Sequence, residues 1–108
     1  MSLRDKKCVP CSGGMPPLSA AEAGKYLLNL NNNWEIIGNK KIRREFKFKD
    51  FTEAMAFANK VAQIAEAEDH HPDMHIFYRK VILELSTHAI GGLSENDFIV
   101  ASKVDFLN

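Results

Sequence analysis

Ser19 is followed three residues later by Glu22, Asp50 by Glu53 and Ser94 by Asp97, each pair opening a run of apolar residues at helical spacing. Such a pair satisfies the free N–H groups of a first helical turn reciprocally, so each marks a helix start. The first helix is predicted from about residue 20 to 30, with Ala23, Tyr26, Leu27 and Leu30 on one face, and Asn31-Asn32-Asn33 ends it. The second follows Asp50, its Phe51, Ala54, Met55, Ala58, Val61, Ala62 and Ala65 recurring at helical spacing; it must stop before Pro72, which pushes the preceding residue toward extended geometry. The third follows Ser94 and presents Phe98, Ala101 and Val104.

The intervals between these helices are rich in β-branched and aromatic residues. Residues 34 to 48 read as a hairpin turning at Gly38-Asn39, a pair that tolerates positive backbone dihedrals. Ile42, Phe46 and Phe48 then share one side, opposite Arg43, Glu45 and Lys47, which describes a sheet with one buried face. Residues 74 to 87 are too long for one average strand and predict a second hairpin near Arg79-Lys80. The expected fold is α+β, a four-stranded antiparallel sheet with three helices on one face, in the order α-β-β-α-β-β-α.

At 108 residues the chain is sized for one domain, so an active site must be built from a single core or a subunit interface. Residues 1 to 17 hold Cys8, Pro10, Cys11, Gly13, Gly14, Pro16 and Pro17, a density of breakers that predicts an irregular N-terminal arm; 18 to 108 form the domain proper. Fourteen basic and 14 acidic side chains balance, giving no general field for a phosphate backbone. The cluster Lys40, Lys41, Arg43, Arg44 is short and reads as the solvated side of a strand, so direct nucleic acid binding is not expected. No apolar run approaches the ~20 residues of a membrane span, nor does the N-terminus carry a secretory signal, so a cytoplasmic location is expected. Two cysteines make no disulfide framework.

The histidines carry the chemistry. A hairpin turning at Arg79-Lys80 sets Tyr78 opposite Val81 and, continued outward, His71 opposite His88. His70, His71 and His88 therefore converge. Histidine titrates near ~6.5 in the absence of perturbation, so such a group supplies both proton donor and acceptor at neutral pH. Glu66, Glu68 and Asp69 lie just upstream, placed to orient an imidazole. Two other readings compete. Imidazole is the commonest zinc ligand, but adjacent His70 and His71 diverge as co-ligands, and a structural site would need Cys8 and Cys11 to swing in. The plainer alternative is a set of histidines in ordinary hydrogen bonds, which convergence of three weakens. His75 reads as an edge-strand surface residue, Trp34 and Tyr26 as core, and Asp97 is accounted for as a helix cap.

The pattern Glu66-x3-His70-His71-Pro72-x5-Tyr78-x9-His88-x8-Asp97 resembles the signature of the pterin-4a-carbinolamine dehydratases. The run Phe-Lys-Phe-Lys-Asp-Phe at 46 to 51 and the pieces Ser-Thr-His at 86 to 88 and Gly-Leu-Ser-Glu at 92 to 95 are similar too, so the likeness covers Leu18 to the C-terminus. The resemblance implies dehydration of the 4a-hydroxytetrahydropterin left by a pterin-dependent aromatic amino acid hydroxylase, giving quinonoid dihydropterin. It implies that His70 and His88 assist departure of the 4a-hydroxyl, that His71 holds the pterin and manages its ring proton, and that Glu66, Asp69 and Asp97 support or bind substrate. It implies no metal and no cofactor, the pterin being substrate, and a homodimer or homotetramer. Asn96 departs from the arginine that animal members carry before the aspartate. Animal members also resemble a coactivator of a dimerising homeodomain factor, so a non-catalytic binding module is the alternative reading.

Overall fold

The structure is a computed structural model that describes residues 3–9 and 15–107; Cys11 lies outside the described residues. Its elements are α1 (Ala20–Leu27), β1 (Glu35–Ile37), β2 (Lys41–Lys47), α2 (Phe51–Glu68), β3 (Asp73–Ile76), β4 (Lys80–Leu85) and α3 (Glu95–Asp105), with short 3-10 turns at Leu3–Asp5 and His88–Ile90. The order and the α+β class are those predicted. No helix among the described residues is long and apolar enough to cross a membrane.

The three predicted caps start the three helices. Ser19 with Glu22 and Ser94 with Asp97 form reciprocal capping boxes. Asp50 accepts from the Glu53 N–H at 2.9 Å, while the Glu53 carboxylate takes the Lys49 N–H instead. α1 stops three residues before the predicted end because the next turns tighten to i−3 bonds, Asn29 to Tyr26 and Leu30 to Leu27. Leu30 still packs against the core.

The sheet is antiparallel in the order β1-β2-β4-β3. Gly38 and Asn39 take φ of 58° and 55°, the mirror-image turn that matches strand twist. On the inner face Ile42, Phe46, Val81, Leu83 and Leu85 meet Phe57 and Val61 of α2 and Phe98, Ala101 and Val104 of α3 in one core. This apolar contact, at about 25 cal/mol per Å² buried, is what keeps the helices on that face.

Two expectations are corrected. The second hairpin turns at Tyr78-Arg79, not Arg79-Lys80: Phe77 donates to the Lys80 carbonyl at 2.8 Å, and Ile76 rather than Tyr78 faces Val81. The pairing is displaced by two residues, which preserves the face each side chain points to. Arg44 is not on the solvated side of β2. It alternates onto the inner face, where its guanidinium meets Asp105 at 2.6 Å and stacks 4.2 Å from the Phe46 ring centre. Asp105 also accepts from Trp34 Nε1 at 2.8 Å and the Asn31 N–H at 2.9 Å, so one carboxylate ties α3 to the sheet and to the loop after α1.

The described part of the arm lies along α3. Leu3 is buried, Lys103 Nζ donates to the Arg4 carbonyl at 2.7 Å, and Lys6 pairs with Glu95 at 2.7 Å. The Cys8 N–H donates to Glu68 Oε1 at 2.8 Å. Burial pushes the Cys8 thiol up to about 12, helped by the nearby Glu68 charge. Burial also pushes the Glu68 carboxyl up, but the Cys8 N–H and the Lys103 and Lys7 charges outweigh it and hold Glu68 below its ordinary value.

The raised thiol value means that Cys8 stabilises the docked arm fully below its ordinary value of 9.0, a contribution lost as pH rises from there through about 12. Alkylation of Cys8 by iodoacetamide at pH 8, followed by peptide mass spectrometry, is expected to run at least ~10-fold slower in the folded chain than in urea, because the thiolate is the nucleophile. Equal rates would show that the arm does not hold this position.

Candidate active site

The site begins where α2 ends. Asp69 takes the left-handed conformation, φ 51°, which Asp tolerates better than most side chains. The Asp69 N–H then bonds to the Glu66 carbonyl and the His70 N–H to the Ala65 carbonyl, the Schellman arrangement that closes a helix and reverses the chain. Pro72 prevents helix from resuming. His70 is thereby turned in toward α3, and His71 stays outside.

His70 Nε2 lies 2.6 Å from Asp97 Oδ1. Asp97 is wholly inaccessible to solvent, and its other oxygen, Oδ2, accepts from the Ser94 N–H at 3.0 Å and from Thr87 Oγ1 at 2.9 Å. Thr87 spends its hydroxyl proton on Asp97, so Ser94 donates to Thr87 Oγ1 across 2.8 Å and accepts from the Asn96 N–H. An ionised carboxylate only accepts, so His70 holds its proton on Nε2 and keeps Nδ1 for proton exchange. The helix-cap reading of Asp97 is correct but partial: one oxygen caps α3, the other fixes an imidazole.

His71 Nε2 is 2.6 Å from Glu66 Oε2, with both side chains well exposed. Water screens that pair, so it orients His71 more than it stabilises the fold. His88 opens the 3-10 turn after β4 and is exposed. Although β4 ends at Leu85, short of any ladder contact between His71 and His88, the turn swings His88 back to the end of α2. His70, His71 and His88 line one cavity of about 290 Å³ together with Asp69, Ser86, Thr87, Ala89, Asn96 and Val9. A hollow of about 470 Å³ on β2 lies away from these groups and is walled by ordinary surface charges such as Glu35, Arg43 and Lys47.

His75 lies on the edge strand β3, exposed, 3.2 Å from Glu84. The Glu84 carboxyl sits below its ordinary value chiefly through its hydrogen bond from Lys41, then that from His75. Among the described residues no three His, Cys, Asp or Glu side chains gather closely enough to hold a metal ion. Sequence reasoning did not single out Thr87 or Val9, and it marked Asn96 only as a departure from the family's arginine. Thr87 beside a candidate histidine was the one available hint.

An α+β domain with several imidazoles around one small cavity, and a buried carboxylate behind one of them, is equipped for general acid/base work on a polar ligand. The comparisons with known proteins narrow that class. The model of the family described as pterin 4 alpha carbinolamine dehydratase matches residues 16–107. A relative from Nitrosomonas europaea is 53% identical over 105 residues, covering 97% of this chain and 92% of its own. One from Alkaliphilus metalliredigens is 50% identical over 104 residues, covering 96% and 94%. Both bear the name pterin-4-alpha-carbinolamine dehydratase as a provisional designation. A crystal structure titled transcriptional coactivator/pterin dehydratase from Brucella melitensis superposes with a TM-score of 0.79 at 36% identity, covering 84% of this chain and 97% of that one. The fold also matches, at 23% identity and a TM-score of 0.61, a pterin dehydratase-like protein identified as a RuBisCO assembly factor in the alpha-carboxysome. The chain belongs to the pterin 4 alpha carbinolamine dehydratase family, and so to the hydro-lyases.

Proposed function

We propose that this chain dehydrates 4a-hydroxytetrahydropterin to quinonoid dihydropterin, returning the spent cofactor of an aromatic amino acid hydroxylase to its recycling route. The observation that carries the reading is the 2.6 Å pair between His70 and the solvent-inaccessible Asp97, on the wall of the cavity that His71 and His88 share. Family membership supplies the substrate class.

The reaction asks for little beyond proton management. The C4a–O bond breaks, the oxygen leaves with an added proton as water, and the lone pair of the neighbouring ring nitrogen forms the C=N bond. A proton then leaves the ring. One proton is given and one taken, so no electrons are exchanged and the reaction calls for no redox cofactor. His70 and His88 are assigned to the departing hydroxyl. His71, steered by Glu66, is assigned to the ring and its proton. Asp97 positions His70, and Asp69 lies on the cavity wall beside the histidines. General acid/base groups of this kind contribute typically ~10²- to 10⁴-fold each. We further propose that the chain works as a cytoplasmic homo-oligomer, a reading supported by the open outer edge of β3, where Ile76, Phe77 and Tyr78 stay exposed.

The test is dehydration of 4a-hydroxytetrahydropterin by purified protein, followed by absorbance, with elemental analysis of the same sample. Expected are turnover above the uncatalysed rate, no stoichiometric zinc and no loss to a chelator. Stoichiometric zinc with chelator-sensitive turnover would sink the acid/base assignment. A folded protein without turnover would move the reading to a binding module, the role that the first word pair of the Brucella structure's title describes for that protein.

A further inference from the structure

The cavity that the histidines line also contains a residue from outside the matched region. Val9 lines the same hollow as His70, His71 and His88, yet it lies on the arm, ahead of residues 16–107. One side chain holds its backbone at two points. Asn96, in the first turn of α3 and only 4% exposed, grips both polar groups of the Val9 backbone: the Val9 N–H donates to Asn96 Oδ1 at 3.0 Å, and Asn96 Nδ2 donates to the Val9 carbonyl at 2.6 Å. The amide is thus used as a strand neighbour would be. A hydroxyl or a carboxylate in its place would lack either the donor or the reach to make both bonds.

The side chain so held is not itself packed away. Val9 is 62% exposed, an aliphatic group open to solvent in a cavity lined mostly by polar residues. Fixing a backbone at two points while leaving its apolar side chain uncovered has no benefit for the core, since the core gains nothing from an exposed valine. It has one for a ligand, which meets a prepositioned apolar surface and spends less ordering it. Asn96 also precedes Asp97, the residue that holds His70, so one helical turn holds both the acid/base group and the Val9 backbone.

We propose that Val9 is an apolar substrate contact, packing on the carbon and ring surface of the bound pterin, and that Asn96 is a positioning residue that acts through Val9. This rests on the cavity being the pterin site. Other anchors of the arm, among them Glu68 on the Cys8 N–H and Lys103 on the Arg4 carbonyl, hold the approach to Val9 but do not line the cavity.

The test is steady-state kinetics with 4a-hydroxytetrahydropterin on the full-length chain and its Val9→Ala, Asn96→Ala and doubly substituted forms, with circular dichroism to confirm folding. Removing two methyl groups from the contact predicts a KM about 5- to 10-fold higher for Val9→Ala, with kcat within about twofold. Asn96→Ala is expected to raise KM by a similar factor. If Asn96 acts on KM through Val9, the double variant should be no worse than the weaker single one, because the contact it positions is already truncated. Val9→Ala keeps the proposal falsifiable if Asn96→Ala fails to fold, since so exposed a side chain carries little of the fold. An unchanged KM in Val9→Ala, or multiplying losses in the double variant, would overturn this inference while wild-type turnover leaves the functional reading standing. Absence of wild-type turnover would overturn both.

Discussion

Replacing His70 and His88 together with alanine is expected to lower kcat by more than either single change, yet by less than the product of the two single losses. Each single change should cost ~10²- to 10⁴-fold. The shortfall from multiplication arises because both imidazoles serve the departing hydroxyl, so the second loss removes help that the first had already made less useful. KM should move little in these variants, because the leaving group needs its proton most in the transition state. His71→Ala differs, raising KM as well, since the side chain steered by Glu66 is assigned to the ring. Steady-state kinetics on the four proteins, with circular dichroism to establish folding, gives the answer. Near-normal turnover in a folded double variant would end the histidine mechanism.

That these histidines meet was legible before any coordinates, and for a local reason. The helix caps and Pro72 decide where α2 stops, and the hairpin that follows must return beside it. The predicted register was nevertheless wrong by two residues. Arg79-Lys80 contains no glycine or asparagine to pin a turn, and the deciding contacts are made elsewhere: Phe48 donates to the Arg79 carbonyl at 2.7 Å, and Lys47 pairs with Lys80, so β2 decides where β4 begins. An even displacement left every inward residue inward, which is why the core survived the error.

What the sequence hid is nonlocal in each case. Arg44 sits at an inward position by simple alternation, but its charge argued for solvent until Asp105 supplied a partner at 2.6 Å. Asp97 was explained by its cap, and one sufficient local cause concealed the second. Val9 and Asn96 lie 87 residues apart and match no spacing rule.

Asp97 gives the second large effect. In Asp97→Asn the Ser94 N–H and the Thr87 hydroxyl, both donors, still require an acceptor where Oδ2 stood. The amide oxygen must take that place, which turns the NH2 group toward His70 Nε2 across the former 2.6 Å contact. A donor now faces the nitrogen that used to donate. His70 must accept there, moving its proton to Nδ1, and it loses the carboxylate that lets Nε2 keep a proton while Nδ1 gives one to the departing hydroxyl. Turnover is expected to fall on the order of 10²-fold or more, within the range general acid/base groups supply. The cap of α3 keeps its acceptor and KM should be little altered. The alternative orientation, with the amide oxygen toward His70, would leave the buried Ser94 N–H facing another donor, unsatisfied at about 1–3 kcal/mol, so the tautomer change is the cheaper outcome. Nitrogen-15 NMR of the His70 ring should report the switch directly, and Thr87→Val, which frees one lone pair on Oδ2 without adding a donor, should cost turnover far less. An Asp97→Asn protein with wild-type kcat and an unswitched His70 would show that the 2.6 Å pair serves the fold alone.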